Sequence, residues 1–524
     1  MINHDLQLSF REKVGQLFFP AAFINDNEEN ICKVENLIKN YCIGGLTFFH
    51  SRQSAATNFE GKKEIIRNED SALRLQELIT RYQKLSKIPL LISIDAEWGL
   101  AMRIEKTPQY PYSITLGALP ESENNLIFEV GKNIGSDLKK LGLDYNLAHV
   151  VDINDNPKNP VIGYRSFGDN RKNVADKSEY FIKGLQFSNV LSCLKHFPGH
   201  GNTSVDSHLG LPVINKSIEE LDAQELYPFK IAIERNEVDS IMIGHLAVPA
   251  YTNGEIISAT LSSEIIQNLL RKQLGFDGLI ISDALNMHSV SKLYPEKGLL
   301  EWKAFEAGND ILCFSENVAE GIEKITQNAT AERVDQSFER LFKAKNKVGL
   351  FNQDKNRSLK DLNFDFEIAE KLNQKIADKV IKIAKNDVSL LPLKKVSKKV
   401  IISIYNTSNS VFCETFKNSA NCDLVEILNP NEINLKELLN NLLQYDSIII
   451  AFFVPSVKPL NNFEIDANVL EFISKLVENP KVALCLFGNP YALYAISNHE
   501  KLQTLVHCYQ HFDSFQKAAA AILV

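Results

Sequence analysis

No apolar run in this 524-residue chain reaches the ~18 residues of a membrane-spanning helix. The first residues, Met1-Ile2-Asn3-His4-Asp5, have neither the basic nor the apolar region of a secretory leader. The chain as it stands is therefore expected to be soluble and cytoplasmic, without a membrane span; removal of an export signal would make it periplasmic. No basic tract occurs and the formal net charge is −8, so a nucleic-acid partner is not expected, because such binding needs basic surface to displace counterions. The eight cysteines form no C-x-x-C pair, and Cys485 lies inside the apolar stretch Val482-Ala483-Leu484-Cys485-Leu486-Phe487; buried free thiols are the expected state, not disulfides or a zinc site. The C-terminal half has no G-x-G-x-x-G or G-x-x-x-x-G-K-[ST] pattern, and with it no phosphate cradle. There is no low-complexity tract.

What the chain has is length, and a regular alternation of patterns. It exceeds what one hydrophobic core serves, since domains run to roughly 100–200 residues and barrels to about 250 or more. Ser9-Phe10-Arg11-Glu12 has capping-box spacing, with Phe10, Val14 and Leu17 following at helical intervals. Short apolar runs then recur at 43–49, 89–95, 143–147, 190–194, 240–244, 279–283 and 311–314, with helical periodicity between them at 72–85, 126–141 and 263–274. Strands apolar on both faces imply parallel pairing, and this number of βα units predicts a (β/α)8 TIM-type barrel over 1–350. The eighth strand has no clear signal, and an open sheet is the alternative. What favours the barrel is that His50, Asp95, Asn146, His196, His245 and Asp283 stand where strands end, at the face where barrel active sites form. Residues 332–349 read as a last barrel helix, 351–368 as a linker and 369–524 as a second, smaller α/β sheet domain with strands at 399–405, 447–454, 481–487 and 503–508. The chain stops inside the apolar run 518–524, which leaves open whether the second domain is truncated or a further module is missing.

The densest chemistry lies in Lys195-His196-Phe197-Pro198-Gly199-His200-Gly201 and, after it, Asp206-Ser207-His208. Three glycines and a proline in the surrounding stretch argue for a loop directly after the apolar run 190–194. Asp206 and His208 are two residues apart, so in an extended conformation their side chains point the same way and the carboxylate can hold one ring nitrogen while the other exchanges a proton near neutral pH. A metal site of His196, His200, Asp206 and His208 is the rival; Lys195 would repel the cation, and Pro198 breaks the helical spacing such ligand pairs use. A purely structural loop is a third reading. Asp283, at the end of an apolar strand, is either a functional carboxylate or the cap of the next helix; Asp95, with Arg103 eight residues on, is either functional or half of a buried ion pair.

These residues carry a resemblance. The Lys195–Gly201 segment with Asp206-Ser207-His208 resembles the signature of the bacterial β-N-acetylglucosaminidases of glycoside hydrolase family 3, the NagZ-like group. Asp152-Ile153-Asn154, Asn159-Pro160-Val161-Ile162-Gly163, Arg165-Ser166-Phe167-Gly168 and Ser282-Asp283-Ala284-Leu285 resemble other segments of that family in the same order. The resemblance implies that Asp283 is the nucleophile, that His208 paired with Asp206 is the general acid/base, that Asp95, Arg103, Arg165, Lys195 and His196 bind the hydroxyls of N-acetylglucosamine, and that the second domain is the family's α/β sandwich. At Asp95-Ala96-Glu97-Trp98-Gly99 the chain departs from the Gly-Gly that most members have after the glutamate.

On that footing the expected activity is retaining exo-hydrolysis of terminal β-linked N-acetylglucosamine, from a glycan or a peptidoglycan-derived muropeptide, through a covalent glycosyl-aspartate. No metal and no cofactor is expected. The alternatives are a β-glucosidase or β-xylosidase of the same family, a metal-dependent hydrolase, and a non-catalytic sugar-binding protein.

Overall fold

In the computed structural model the described residues are 7–52, 67–203, 210–352, 362–395, 397–417, 422–432 and 434–524. The chain opens with the expected capping box: the Ser9 hydroxyl accepts from the Glu12 N–H and the Glu12 carboxylate accepts from the Ser9 N–H, starting the helix Phe10–Gly15. Two short strands follow at once, β1 (Phe18–Phe19) and β2 (Ala21–Phe23). Pro20 divides them, since it has no N–H to offer a ladder, and this is why the pattern here is too short to read as a strand.

Seven further strands alternate with helices: β3 (Gly45–Phe49), β4 (Leu91–Ile94), β5 (Tyr145–Asn146), β6 (Cys193–Phe197), β7 (Ser240–Ile243), β8 (Leu279–Ser282) and β9 (Leu312–Cys313). All their pairings are parallel. β2, β3, β4 and β5 pair in sequence, as do β6, β7 and β8, and β9 pairs with β1. Isolated parallel bridges Tyr145↔Leu191 and Ile281↔Ile311 span the intervals between these groups. The structure is thus an α/β fold with parallel sheets. Phe19, Leu91, Tyr145, Cys193, Met242, Ile281 and Cys313, drawn from seven strands, meet in one buried cluster, so the space between the strands is packed.

The C-terminal strand ends share one edge, where Ile94 lies beside Asn146 and Ile243 beside Ser282. β6 differs from expectation. The strand does not stop at Leu194 but continues through Lys195, His196 and Phe197, where the Phe197 carbonyl accepts from the Gly244 N–H and Lys195 bridges Val150 in parallel. Lys195 and His196 look polar in the sequence, yet both are buried because each finds a carboxylate partner; the loop begins only at Pro198.

The chain folds into two compact units, Met1–Tyr110 with Ile127–Phe366, and Pro111–Leu126 with Glu367–Val524. The segment Pro111–Leu126, left with the first domain in the sequence division, groups with the second unit: Gln510 donates to the Thr115 hydroxyl (2.8 Å) and Lys379 pairs with Glu123. The helix Phe366–Val380 starts inside the stretch read as linker. The second unit holds a six-stranded sheet, in spatial order Lys382–Asn386, Thr504–His507, Val482–Phe487, Ser447–Phe453, Lys399–Ile404 and Cys422–Ile427, parallel throughout except at the first strand. The two strands that the sequence pattern misses are its edges, Lys382–Asn386 and Cys422–Ile427. Edge strands are half exposed and carry polar residues, so neither has the continuous apolar run of the four central ones.

Candidate active site

β4 delivers two carboxylates. After Ile94 the chain turns outward through Ala96, whose N–H donates to Asn146 Oδ1 (3.0 Å) and whose carbonyl accepts from Asn146 Nδ2 (3.2 Å). That clamp from the end of β5 orients Asp95 and Glu97 on either side of it. Asp95 Oδ1 accepts from Lys195 Nζ (2.8 Å) and Oδ2 from Arg103 Nη2 (3.2 Å). Glu97 accepts from Arg165 at two points (Nε 2.9 Å, Nη2 2.7 Å) and pairs with Lys195 Nζ (2.9 Å). Sequence residues 95, 97, 103, 165 and 195 thereby form one connected network.

Three cations face two carboxylates here, so the network carries a net positive charge. Burial by itself would raise the carboxyl pKa values, but Lys195 and Arg103 hold Asp95 below its usual value, and Arg165 and Lys195 hold Glu97 well below. For the cations burial works the other way, and Asp95 and Glu97 outweigh it to keep Lys195 above its ordinary value; Glu97 does the same for Arg165. Asp95, Glu97, Lys195 and Arg165 are therefore charged at neutral pH. Removing an ion from water costs several kcal/mol even in a relaxed protein, so the network is held by its pairing.

A second cluster supports the motif after β6. Asp152 accepts from His196 Nδ1 (2.7 Å), from the His196 backbone N–H (3.2 Å) and from the His200 backbone N–H (2.7 Å). The His196 ring is thus fixed through Nδ1, with Nε2 on its far edge. Asn159 donates to the carbonyls of His200 (2.9 Å) and Gly201 (3.0 Å) and accepts from the N–H groups of Val161 and Ile162, while Asn154 accepts from the Gly163 N–H. Gly201 packs so close to residue 153 that a Cβ there would lie 1.7 Å from the Ile153 carbonyl oxygen. The Asp-x-Asn and Asn-Pro segments therefore build the bed on which 196–203 lies and lead directly into Arg165. His200 belongs to that bed: its Nδ1 is 2.6 Å from the Thr203 hydroxyl, and burial, with His196 adding to it, lowers its pKa to about 4.

Asp283 follows β8, its N–H donating to the Ile243 carbonyl and its Oδ1 accepting from the Ala284 N–H (2.8 Å). It caps no helix, because the next one begins at His288. Beyond the burial that raises the Cys313 thiol, both Asp283 and Asp95 push it further up, so the two carboxylates lie within electrostatic reach of the same buried sulfur. The other polar residues at strand ends are locally engaged: His50 Nε2 with Glu105 (2.8 Å), and His245 with the Thr260 hydroxyl (2.8 Å) and the Ala284 carbonyl (3.0 Å). Trp98, at the departure from the family pattern, stands with its ring centroid 5.8 Å from that of Tyr164. Asp206 and His208 lie outside the described residues, among which no group of three or more His, Cys, Asp or Glu side chains that could hold a metal ion occurs.

The structure thus brings together Asp95, Arg103, Arg165 and Lys195, and sets His196 beside Asp152. Sequence reasoning gave no role to Glu97, Asp152 or Asn159. The signal for Glu97 was its position two residues beyond Asp95 after an apolar strand; Asp152 and Asn159 stood in quoted motifs, but only folding brings them under His200.

Parallel strands that alternate with helices define the class, an α/β fold with parallel sheets, and the buried ionic network at the C-terminal strand ends is its candidate site. The profile of the glycosyl hydrolase family 3 N terminal domain matches residues 9–344, and the chain belongs to that family. It is 33% identical over 325 residues to a beta-hexosaminidase A of Pseudoalteromonas piscicida, covering 59% of this chain and 52% of the relative. A beta-N-acetylglucosaminidase/beta-glucosidase of Cellulomonas fimi is 27% identical over 354 residues, covering 65% of this chain and 58% of the relative. The chain thus spans between half and three fifths of these two curated relatives. A solved family 3 beta-N-acetylglucosaminidase of Paenibacillus sp. str. FPU-7 superposes with a TM-score of 0.78 at 26% identity, over 99% of this chain and 97% of that one. Among the described residues no helix is long and apolar enough to cross a membrane.

Proposed function

We propose that this chain is a retaining exo-β-N-acetylglucosaminidase that removes terminal β-linked N-acetylglucosamine, with peptidoglycan-derived muropeptides as the substrate class. The observation that carries the reading is the Asp95–Lys195–Glu97–Arg165 network with Arg103, in which fixed donors and acceptors alternate over a few ångströms. Adjacent sugar hydroxyls need such a surface, because each both donates and accepts. Closure of β1–β9 through parallel pairs supports a (β/α)8 barrel over 1–350 as its frame, with 369–524 as the sandwich domain.

In this mechanism Asp283, held at the end of a buried strand, attacks the anomeric carbon and forms the glycosyl-enzyme. His208, oriented by Asp206, protonates the leaving oxygen and then, as the neutral base, activates water. A histidine in this role is attracted to the nucleophilic carboxylate instead of raising its pKa as a second carboxylate would. His196, locked through Nδ1 by Asp152, presents its other edge to the sugar. The assignments of Asp206 and His208 rest on the sequence motif.

Mass spectrometry after a slow fluorinated N-acetylglucosaminide is expected to find the sugar on Asp283, and Asp283→Asn is expected to abolish turnover; an adduct elsewhere sinks the nucleophile. His208→Ala is expected to lose roughly 10² to 10⁴-fold on an unactivated disaccharide and less on aryl substrates, which need little protonation. Preference for aryl N-acetylglucosaminide over aryl glucoside separates this reading from a β-glucosidase, and faster turnover of the glucoside would replace it.

A further inference from the structure

Glu97 and Lys195 are the innermost members of the network. Their side chains are 1% and 3% exposed, against 15% for Arg165, 16% for Asp95 and 23% for Arg103. Glu97 therefore lies deeper than the Arg165 guanidinium and presents almost no surface to a ligand. Its two oxygens nevertheless accept from both Arg165 and Lys195, and the two-point fork on the guanidinium sets that group's plane as well as its position. Lys195 is the shared member, bound on one side by Glu97 and on the other by Asp95. We propose that Glu97 is a positioning residue: it holds the Arg165 fork and the Lys195 ammonium in one fixed arrangement, so that the sugar meets preset donors, and it neutralises the repulsion between them. This rests on the reading of Arg165 and Lys195 as sugar-binding groups.

The charges around Lys195 give the proposal a signature that a merely structural ion pair lacks. Lys195 is faced by Asp95 and Glu97 from the chain after β4, by Arg165 and His149 from the segment after β5, and by Cys193 on its own strand. Burial and Arg165 favour its neutral form; Asp95 and Glu97 favour the ammonium. Glu97→Gln preserves shape but removes one of the two carboxylates, so Lys195 loses its proton at lower pH than in the wild type.

The test is steady-state kinetics of purified Glu97→Gln and Glu97→Asp from pH 5 to 10 on an aryl N-acetylglucosaminide, with Arg165→Ala and Lys195→Ala alongside. We expect Glu97→Gln to lose about 10²-fold in kcat/KM, the scale of a misplacement of about 1 Å, mainly through KM, with the alkaline limb displaced to lower pH. Glu97→Asp keeps the charge but is a methylene too short to span both cations; it is expected to fall between, with its alkaline limb where the wild type has it. It also serves as the readout should the glutamine variant not fold. A uniform loss at every pH with KM unchanged, or no loss at all, overturns the positioning role. If Arg165→Ala and Lys195→Ala are impaired while both Glu97 variants are not, only this inference fails; if Arg165→Ala and Lys195→Ala are themselves silent, the sugar-pocket reading fails with it.

Discussion

At the residue scale, a costly side chain in the neighbourhood of the site is one that neither the family resemblance nor the proposed mechanism uses. His149 is wholly buried, with ring centroids of Phe167 at 4.2 Å and Phe181 at 5.0 Å, and among the described residues neither ring nitrogen has a hydrogen-bond partner. Burial lowers its pKa to about 3. Two unpaired polar atoms cost about 1–3 kcal/mol each, whereas ring packing of this kind contributes about 0.5–1.5 kcal/mol beyond its area; the unpaired nitrogens outweigh the stack. His149→Leu is therefore expected to raise stability at pH 7. The pH dependence has a definite sign: below about 6.5 the unfolded chain protonates this ring while the folded chain excludes the proton down to about pH 3, so stability is lost as pH falls through that window. The gain from His149→Leu should accordingly be larger at pH 5 than at pH 7. Urea midpoints at the two pH values measure it, and a variant less stable at both would show that the ring has a partner that compensates for its burial.

At the element scale, the helices Asn125–Leu141 and Arg171–Phe187, which flank β5 in the sequence, approach each other through glycines. A Cβ on Gly184 would lie 2.3 Å from the Phe128 carbonyl oxygen and 2.6 Å from the Lys132 nitrogen, and one on Gly131 would lie 2.4 Å from the Phe181 oxygen. Helix propensity favours alanine over glycine by about 1 kcal/mol. Contact with rigid backbone opposes it, and overpacking of this kind costs about 1–3 kcal/mol. Gly184→Ala is thus expected to lower the melting temperature despite its better propensity, and a rise would mean that the helices separate freely. Helix start, length and capping were legible in the sequence, as Ser9 and Glu12 illustrate. The close helix–helix approach was not, because nothing local distinguishes a glycine that ends a helix from one that lets a neighbour in.

At the scale of the whole first unit, Lys345 ties together strands far apart in sequence. Wholly buried on the helix Ala331–Lys347, its ammonium donates to Gln16 Oε1 (2.8 Å) and to the Pro89 carbonyl (2.8 Å), at the entries to β1 and β4. Burial lowers its pKa to about 7. Between about 7 and the ~10.4 of a free lysine the unfolded chain holds a proton that the folded chain has released, so this group makes stability rise with pH over that range. Lys345→Met is expected to remove that rise. Chemical unfolding of both proteins from pH 7 to pH 9 tests it, and parallel profiles would show that Lys345 stays charged in the folded state.

The sequence by itself determined the parallel strands with apolar faces, the polar residues at their ends and the motifs of family 3, because these depend on periodicity and on order along one chain. That Pro111–Leu126 groups with the second unit was not legible in it. What only the tertiary structure decided was partnership. Lys195 and His196 read as loop residues and are buried in a strand, and Glu97, without a role in the sequence, is buried against both Arg165 and Lys195. His200, which had none either, is a neutral ring in the bed of the motif. The reason is physical: burying a charge is unfavourable until an opposite charge meets it, and residues 97, 165 and 195 meet only when separate strand ends come to one edge.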